Sequence, residues 1–182
     1  MEGEILLLTK YWEQFKSGTD IRGVAIAGVP GENVLLTDEA VNKLTGGFVL
    51  WLADRVKKDI PNLTVAVGHD PRVSAERIRA DVVGTLVSCG VHVLDCGLSS
   101  TPAMFLVTHD TSCDGSVQIT ASHHPWNRNG LKFFTREGGL DGPDIEAILQ
   151  HAQDGDRPVP GRRPRNPRPL PRRCSRSRGP GP

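Results

Sequence analysis

At 182 residues the chain is long enough for one domain of ordinary size with a real hydrophobic core, and a tail besides. Nine of its 22 basic residues and one of its 21 acidic residues fall after Asp154, so a net charge of +1 hides a body (1–154) at −7 and a tail (155–182) at +8. A body of that sign argues against nucleic acid as a partner, no apolar run approaches a membrane span, and four cysteines without a CxxC pair argue against zinc or a disulfide framework.

In chain order, the acidic start Met1-Glu2-Gly3-Glu4 carries no legible secretory signal or transit peptide. With Cys89, Cys96, Cys113 and Cys174 read as reduced, mostly buried thiols, this points to an intracellular protein of the cytoplasm or an organelle interior. Ser17-Gly18-Thr19-Asp20-Ile21-Arg22-Gly23 reads as a tight turn, with Arg22 a fixed cation whose fork matches a phosphate. Val34-Leu35-Leu36 ends a short strand or loop. Thr37 is the expected cap of a helix with Asp38 and Glu39 in its first turn and Val41, Leu44, Phe48, Trp51, Leu52 and Val56 on one face, ending near Lys57-Lys58. Gly46-Gly47 inside it costs propensity, and close packing is one reason for such a pair.

Leu63 to Gly68 reads as a buried strand, and Ser74 as the cap of a second helix from Ala75 to about Ser88. Val91 to Leu94 is the next strand. Pro102 suits the first turn of a third helix running to about Thr108. Val117-Gln118-Ile119 and Leu131-Lys132-Phe133-Phe134 are strands on either side of a loop, and Asp144 to Ala152 is a last helix. The alternation predicts an α/β fold, a layered mixed sheet flanked by helices with function in loops at strand ends. Residues 155–182, with eight prolines and nine arginines, cannot bury enough surface to fold and are expected to be disordered. The tail is either a polybasic arm or a non-native end from a frameshift or intron read-through, and the abrupt change in composition favours the second.

The loop between the two last strands, Thr120-Ala121-Ser122-His123-His124-Pro125, carries the chemistry. A serine hydroxyl is a weak nucleophile that needs a base, a cation or a metal. Once phosphorylated it becomes a phosphoryl donor, for which positioning and charge stabilisation supply most of the catalysis. His123 and Lys132 are the groups at hand that carry charge or move a proton. A serine hydrolase is disfavoured: no Gly-x-Ser-x-Gly elbow surrounds Ser122, and His123, being adjacent, is expected not to reach back as its base.

This loop, followed by Asn129-Gly130-Leu131-Lys132, resembles the phosphoserine loop of the alpha-D-phosphohexomutases, the phosphoglucomutase and phosphomannomutase family. Their usual form is Thr-Ala-Ser-His-Asn-Pro followed by Asn-Gly-aliphatic-Lys, and His124 stands where they have Asn. Three further segments resemble the family in order: Ser17 to Gly23, Val67 to Ser74 and Gly97 to Pro102. By that resemblance Ser122 is the phosphocarrier and, once phosphorylated, a magnesium ligand. His123 and Lys132 assist proton transfer and charge stabilisation, and Thr19 and Arg22 face the phosphate. Asp70 and Arg72 are read as a pair that braces its own loop. His69, His92, His109 and His151 are read as surface or satisfied core residues.

The resemblance implies a mutase moving phosphate between the 1- and 6-positions of a hexose through a bisphosphate, with Mg2+ in the complete enzyme. Hexose phosphate and hexose bisphosphate would be its ligands, and missing domains or a full-length mutase its protein partners. It covers one of the family's four domains, so the chain alone is expected to be inactive. Asp154-Gly155-Asp156-Arg157 looks like part of the family's metal loop, but it comes too soon after Ser122, lacks the third aspartate, and is rejected as a magnesium site. The alternative function is a non-catalytic module that binds phosphosugar or a partner, with the basic tail as its arm.

Overall fold

The computed structural model describes residues 7–155 and the backbone of 168–169. Helix α1 (Lys10–Glu13) leads into strands β1 (Lys16–Ser17) and β2 (Asp20–Val24), an antiparallel hairpin closed by Gly18-Thr19. Gly18 takes φ +62°, as the first position of a two-residue hairpin loop requires. Sequence reading finds only a tight turn here, because strands this short hold too few alternations to register. Helix α2 (Asp38–Val56) starts where expected, with Thr37 Oγ1 accepting from the Ala40 N–H at 3.2 Å. It stops at Lys57, a left-handed residue with φ +53°.

The remaining elements are β3 (Thr64–His69), α3 (Ala75–Ser88), β4 (His92–Leu98), α4 (Thr101–Asp110), β5 (Gly115–Ile119), β6 (Arg128–Thr135), β7 (Gly138–Gly139), α5 (Gly142–Asp154) and β8 (Arg168–Pro169). Residues 34–36 form loop, not strand; the Leu35 and Leu36 amides both donate to the Val24 carbonyl. Ser74 precedes α3 but does not cap it with its side chain, since its Oγ accepts instead from Asn129 Nδ2 at 2.9 Å. Helix α5 begins two residues before the expected Asp144. Asp141 is the cap, accepting from the Asp144 N–H at 3.0 Å while Asp144 Oδ2 accepts from the Asp141 N–H at 3.1 Å. The expected disorder of 155–182 lies outside the described residues, apart from Gly155 and the backbone of 168–169, which pairs with β4.

The sheet is mixed, as expected. Its order is β1-β2-β6-β5-β3-β4-β8, with β7 beside β6; β3 is parallel to β4 and β5, and β6 is antiparallel to β5 and β2. Alternation along the strands sends Val65, Val67, Val117, Ile119, Leu131 and Phe133 into the main core with α2, α3 and α5. Ala66 and Phe134 point to the other face, where Met104 of α4 covers them. The glycine pair in α2 has a physical reason: a Cβ on Gly47 would come within 2.4 Å of the Ile148 carbonyl of α5. The two helix backbones touch there, and Phe48 stacks on Phe133 with ring centroids 4.5 Å apart.

The three described cysteines of the body, Cys89, Cys96 and Cys113, are unpaired thiols; Cys89 and Cys113 are buried, and burial pushes the Cys96 thiol up to about 12. Cys174 lies outside the described residues. No helix among them is long and apolar enough to cross a membrane.

Candidate functional site

From β3 the chain crosses to β4 on one side and returns to β5 on the other, so the loops after β3 and β5 lie side by side at the C-terminal edge of the parallel strands. The Asp70 amide donates to the Ile119 carbonyl at 3.0 Å, joining these loops at their roots. Strand β6 returns beneath the serine loop, and there Gly130 is required by contact. Its Cβ would lie 2.3 Å from the Ile21 carbonyl oxygen and 3.0 Å from that of Thr120. The Asn-Gly of the motif therefore lets three strands converge under the loop.

Ser122 sits exposed at the loop tip with φ +54°, one of only two non-glycine residues with positive φ among the described residues. Its amide donates to Thr120 Oγ1 at 3.0 Å, and Thr120 Oγ1 donates to Asp70 Oδ2 at 2.7 Å. Asp70 Oδ1 accepts from the Arg72 amide at 3.1 Å, and the Arg72 Nε lies 3.5 Å from Asp70 Oδ2. The Arg72 guanidinium then reaches across to the serine loop. It donates to the carbonyls of Ser122 (2.8 Å), His124 (2.7 Å), Pro125 (2.7 Å) and Arg128 (2.9 Å). Asp70 and Arg72 thus pair, but the loop they brace is the serine loop as well as their own.

His123 Nδ1 lies 3.3 Å from Ser122 Oγ, which corrects the expectation that adjacency keeps this histidine from reaching back. The left-handed turn at Ser122 swings its side chain toward that of its successor. The His124 ring lies 5.3 Å from that of His123, and burial together with Arg22, His123, Arg128 and Arg72 lowers its basicity below the usual 6.5. Arg22 and Lys132 meet on Asp20, a residue that sequence reading did not single out. Asp20 Oδ2 accepts from Arg22 Nη2 and Oδ1 from Lys132 Nζ, both at 2.7 Å, and the residue is 6% exposed. Asp20 stands two residues before Arg22 in the motif, but its bond to Lys132 spans 112 positions and leaves no local signal.

Arg22 Nη1 also lies 3.5 Å from the Ala121 carbonyl, and its buried Nε has no partner among the described residues, so this arginine keeps donor capacity at the foot of the loop. Thr19 is exposed in the β1–β2 turn, and no bond joins it to the serine loop. On the far side, Glu32 accepts from Asn127 Nδ2 (2.8 Å) and Arg128 Nη2 (3.0 Å), and these bonds hold its carboxyl below the usual range. His69 is buried, with Nδ1 2.9 Å from the Asp70 carbonyl oxygen, as a satisfied core histidine.

The arrangement offers an exposed hydroxyl with a ring nitrogen beside it, Arg22 near the carbonyl of the preceding Ala121, and Lys132 joined to Arg22 through Asp20. Among the described residues no three His, Cys, Asp or Glu side chains gather to hold a metal; of the carboxylates around the loop, Asp20 is already bonded to two cations and Asp70 to Thr120 and the Arg72 amide. These residues do not by themselves supply the oxygen shell of Mg2+. Asp154, rejected as a metal ligand, ends α5 and accepts from Gln150 Nε2 at 2.8 Å, while Asp156 lies outside the described residues.

Known proteins match this geometry and this sequence. The chain is 37% identical over 134 residues to a phosphoglucosamine mutase of Lactobacillus delbrueckii subsp. bulgaricus, covering 70% of this chain and 29% of that protein. It is 38% identical over 144 residues to the phosphoglucosamine mutase of Staphylococcus saprophyticus, covering 78% and 30%. The fold is that of a phosphoglucomutase/phosphomannomutase family protein from Burkholderia thailandensis, with a TM-score of 0.65 at 23% identity over 83% of this chain and 31% of that one. It is equally that of a phosphomannomutase-like protein from Thermus thermophilus, with a TM-score of 0.63 at 24% identity over 83% and 32%. The chain thus spans about three-tenths of the length of the curated relatives it matches. The family model described as phosphoglucomutase/phosphomannomutase, alpha/beta/alpha domain I, matches residues 14–158. The protein therefore belongs to the phosphoglucomutase/phosphomannomutase family, through that family's first domain.

Proposed function

We propose that residues 1–154 are the phosphoserine domain of a hexose-phosphate mutase, with Ser122 as the phosphocarrier. The observation that carries this reading is the serine itself: exposed, held left-handed at the tip of a braced loop, with His123 Nδ1 at 3.3 Å. In the loading step the Ser122 hydroxyl attacks a phosphorus of a hexose bisphosphate. The Oγ–P bond forms and the phosphorus–sugar oxygen bond breaks, while the hydroxyl proton passes to His123 and from there to the departing sugar oxygen. In the reverse sense the sugar hydroxyl gives its proton to His123 and attacks phosphorus, the new phosphorus–sugar oxygen bond forms, and Ser122 Oγ leaves phosphorus and takes that proton. Lys132 and Arg22, anchored on Asp20, face the charge that builds on the phosphoryl oxygens, and Thr19 borders the same space.

Mg2+ belongs to this chemistry in the complete family enzyme, and the residues present here supply it with at most the Ser122 phosphate. The named relatives make glucosamine phosphates the first sugars to try, beside glucose 1-phosphate. We infer that the 182-residue chain accepts phosphate on Ser122 but turns over no hexose phosphate. The test is peptide mass spectrometry of Ser122 in protein from its own cells, with a coupled mutase assay on the pure chain. Phosphate on Ser122 without turnover is the expected result. A Ser122 that is unmodified in an active preparation would sink the mechanism, and robust turnover lost in Ser122→Ala would sink the inference of inactivity.

A further inference from the structure

We propose that Arg72 is a positioning residue for phosphoryl transfer at Ser122: its guanidinium clamps the serine loop in the shape that presents Oγ, and it does not bind phosphate itself. The inference rests on the function proposed above.

A guanidinium has five N–H donors in a rigid plane. Four of those on Arg72, at Nη1 and Nη2, are spent on the carbonyls of Ser122, His124, Pro125 and Arg128, and the fifth, at Nε, faces Asp70. No donor remains for a ligand. Arg22 differs: its Nε has no partner among the described residues and its Nη1 contact is long. One arginine has been consumed by backbone, the other has capacity left, and the difference assigns them different work.

The clamp has a second arm. Asp70, fixed by the Arg72 amide, accepts from Thr120 Oγ1, which accepts from the Ser122 amide. Ser122 is therefore gripped at its N–H through Asp70 and Thr120 and at its C=O by Arg72. Both sides of its Cα are held, and that is what a side-chain-bearing residue needs in order to stay at φ +54°. Lysine cannot stand in, because a point charge with three rotatable donors does not match four acceptors spread over residues 122–128.

The test uses the whole 182-residue chain as wild type, Arg72→Ala, Arg72→Lys, Arg22→Ala and Thr120→Val. The first readout is NMR: the φ-dependent coupling at Ser122, and hydrogen exchange at the amides of Ser122, His124 and Arg128. The second is the rate at which a hexose 1,6-bisphosphate, with Mg2+ present, phosphorylates Ser122, followed by mass spectrometry against donor concentration. In both Arg72 variants Ser122 should leave the left-handed region and the loop amides should lose protection while sheet amides keep theirs. The maximal rate should fall on the order of 10²-fold, as a misplaced reacting atom predicts, with the half-saturating donor concentration little changed. Arg22→Ala should instead raise that concentration. Guanidinium ion, and not ammonium, should restore part of the rate to Arg72→Ala.

A higher half-saturating concentration with an intact maximal rate in Arg72→Ala would make Arg72 a phosphate ligand and overturn the proposal. So would an unchanged Ser122 coupling and unchanged loop protection. If the wild-type chain accepts no phosphate, the proposed function fails, and the NMR readout alone then decides the clamp. If Arg72→Ala does not fold, Thr120→Val, which cuts only the amide arm, must shift the Ser122 coupling in the same direction or the clamp is wrong.

Discussion

The α2–α5 seam and the serine loop are both places where backbones crowd together, and they are held by opposite means. At the seam, Gly47 lets one helix touch the other, and Phe48, Ile145, Ile148 and Leu149 bury their side chains around the contact. Nothing polar is needed, because helix backbones satisfy their own hydrogen bonds. The loop has no such self-sufficiency. Four carbonyls from residues 122–128 are met by one arginine, and its serine amide is met by one threonine. The seam is non-directional and holds the domain; the loop is directional and holds one atom, Ser122 Oγ.

If this contrast is right, damage to the seam should cost stability without changing the loop's shape. The largest effect should come from Phe48→Ala, which empties a fully buried site stacked on Phe133 and should cost about 3–5 kcal/mol. That is a large share of the ordinary stability of a domain, so urea titration will show it directly. In the fraction that remains folded, the Ser122 amide should keep its shift. A loop that melts together with the seam would erase the distinction.

Gly47→Ala is the smaller version of the same test. The added methyl meets a backbone oxygen at 2.4 Å, which cannot rotate away as a side chain could, so α2 and α5 must part. We expect a loss of about 1–3 kcal/mol despite alanine's better helix propensity. A gain in the urea midpoint would mean that the helices separate freely and that the close approach is incidental.

The same contrast explains what the sequence made legible. The face of α2, its Thr37 cap and the strand into the serine loop are written in periodicity and local residue type. The serine loop itself is legible as a motif. What holds it is not, because the acceptors of Arg72 are carbonyls, which every residue possesses and none advertises. Asp20 escapes notice for a related reason: its two cations come from β2 and β6, and only the sheet brings them together. Ser74 misleads because a serine before a helix reads as a cap, whereas its hydroxyl goes to Asn129, 55 residues on. The hairpin of β1 and β2 is simply too short to show a period.

Ser122 and Lys57, the two non-glycine residues with positive φ among the described residues, are held very differently. Lys57 ends α2 at φ +53° and, among the described residues, its side chain forms only an exposed pair with Asp54, so nothing functional opposes a glycine there. Lys57→Gly should raise stability by up to about 1 kcal/mol, since only glycine is free of the left-handed penalty. Thermal melts of this variant check the point. An unchanged or lower melting temperature would show that the Lys57–Asp54 pair outweighs the backbone term.

The smallest effect concerns His124, and its sign is fixed by linkage. Burial and the neighbouring Arg22, His123, Arg128 and Arg72 make the folded loop take up a proton on His124 less readily than the unfolded chain, whose value is near 6.5. Between the two values the unfolded state binds more protons, so stability rises with pH and is lost as pH falls, the loss being complete below the folded value. His124→Asn removes that dependence while leaving the other histidines in place. Their contributions cancel when the two proteins are compared at each pH. The urea midpoint of His124→Asn relative to wild type should therefore move upward between pH 7.5 and pH 5. A difference that stays flat across that range would mean that the ring escapes the cations on protonation. The loop would then be looser around His124 than its grip on Ser122 implies.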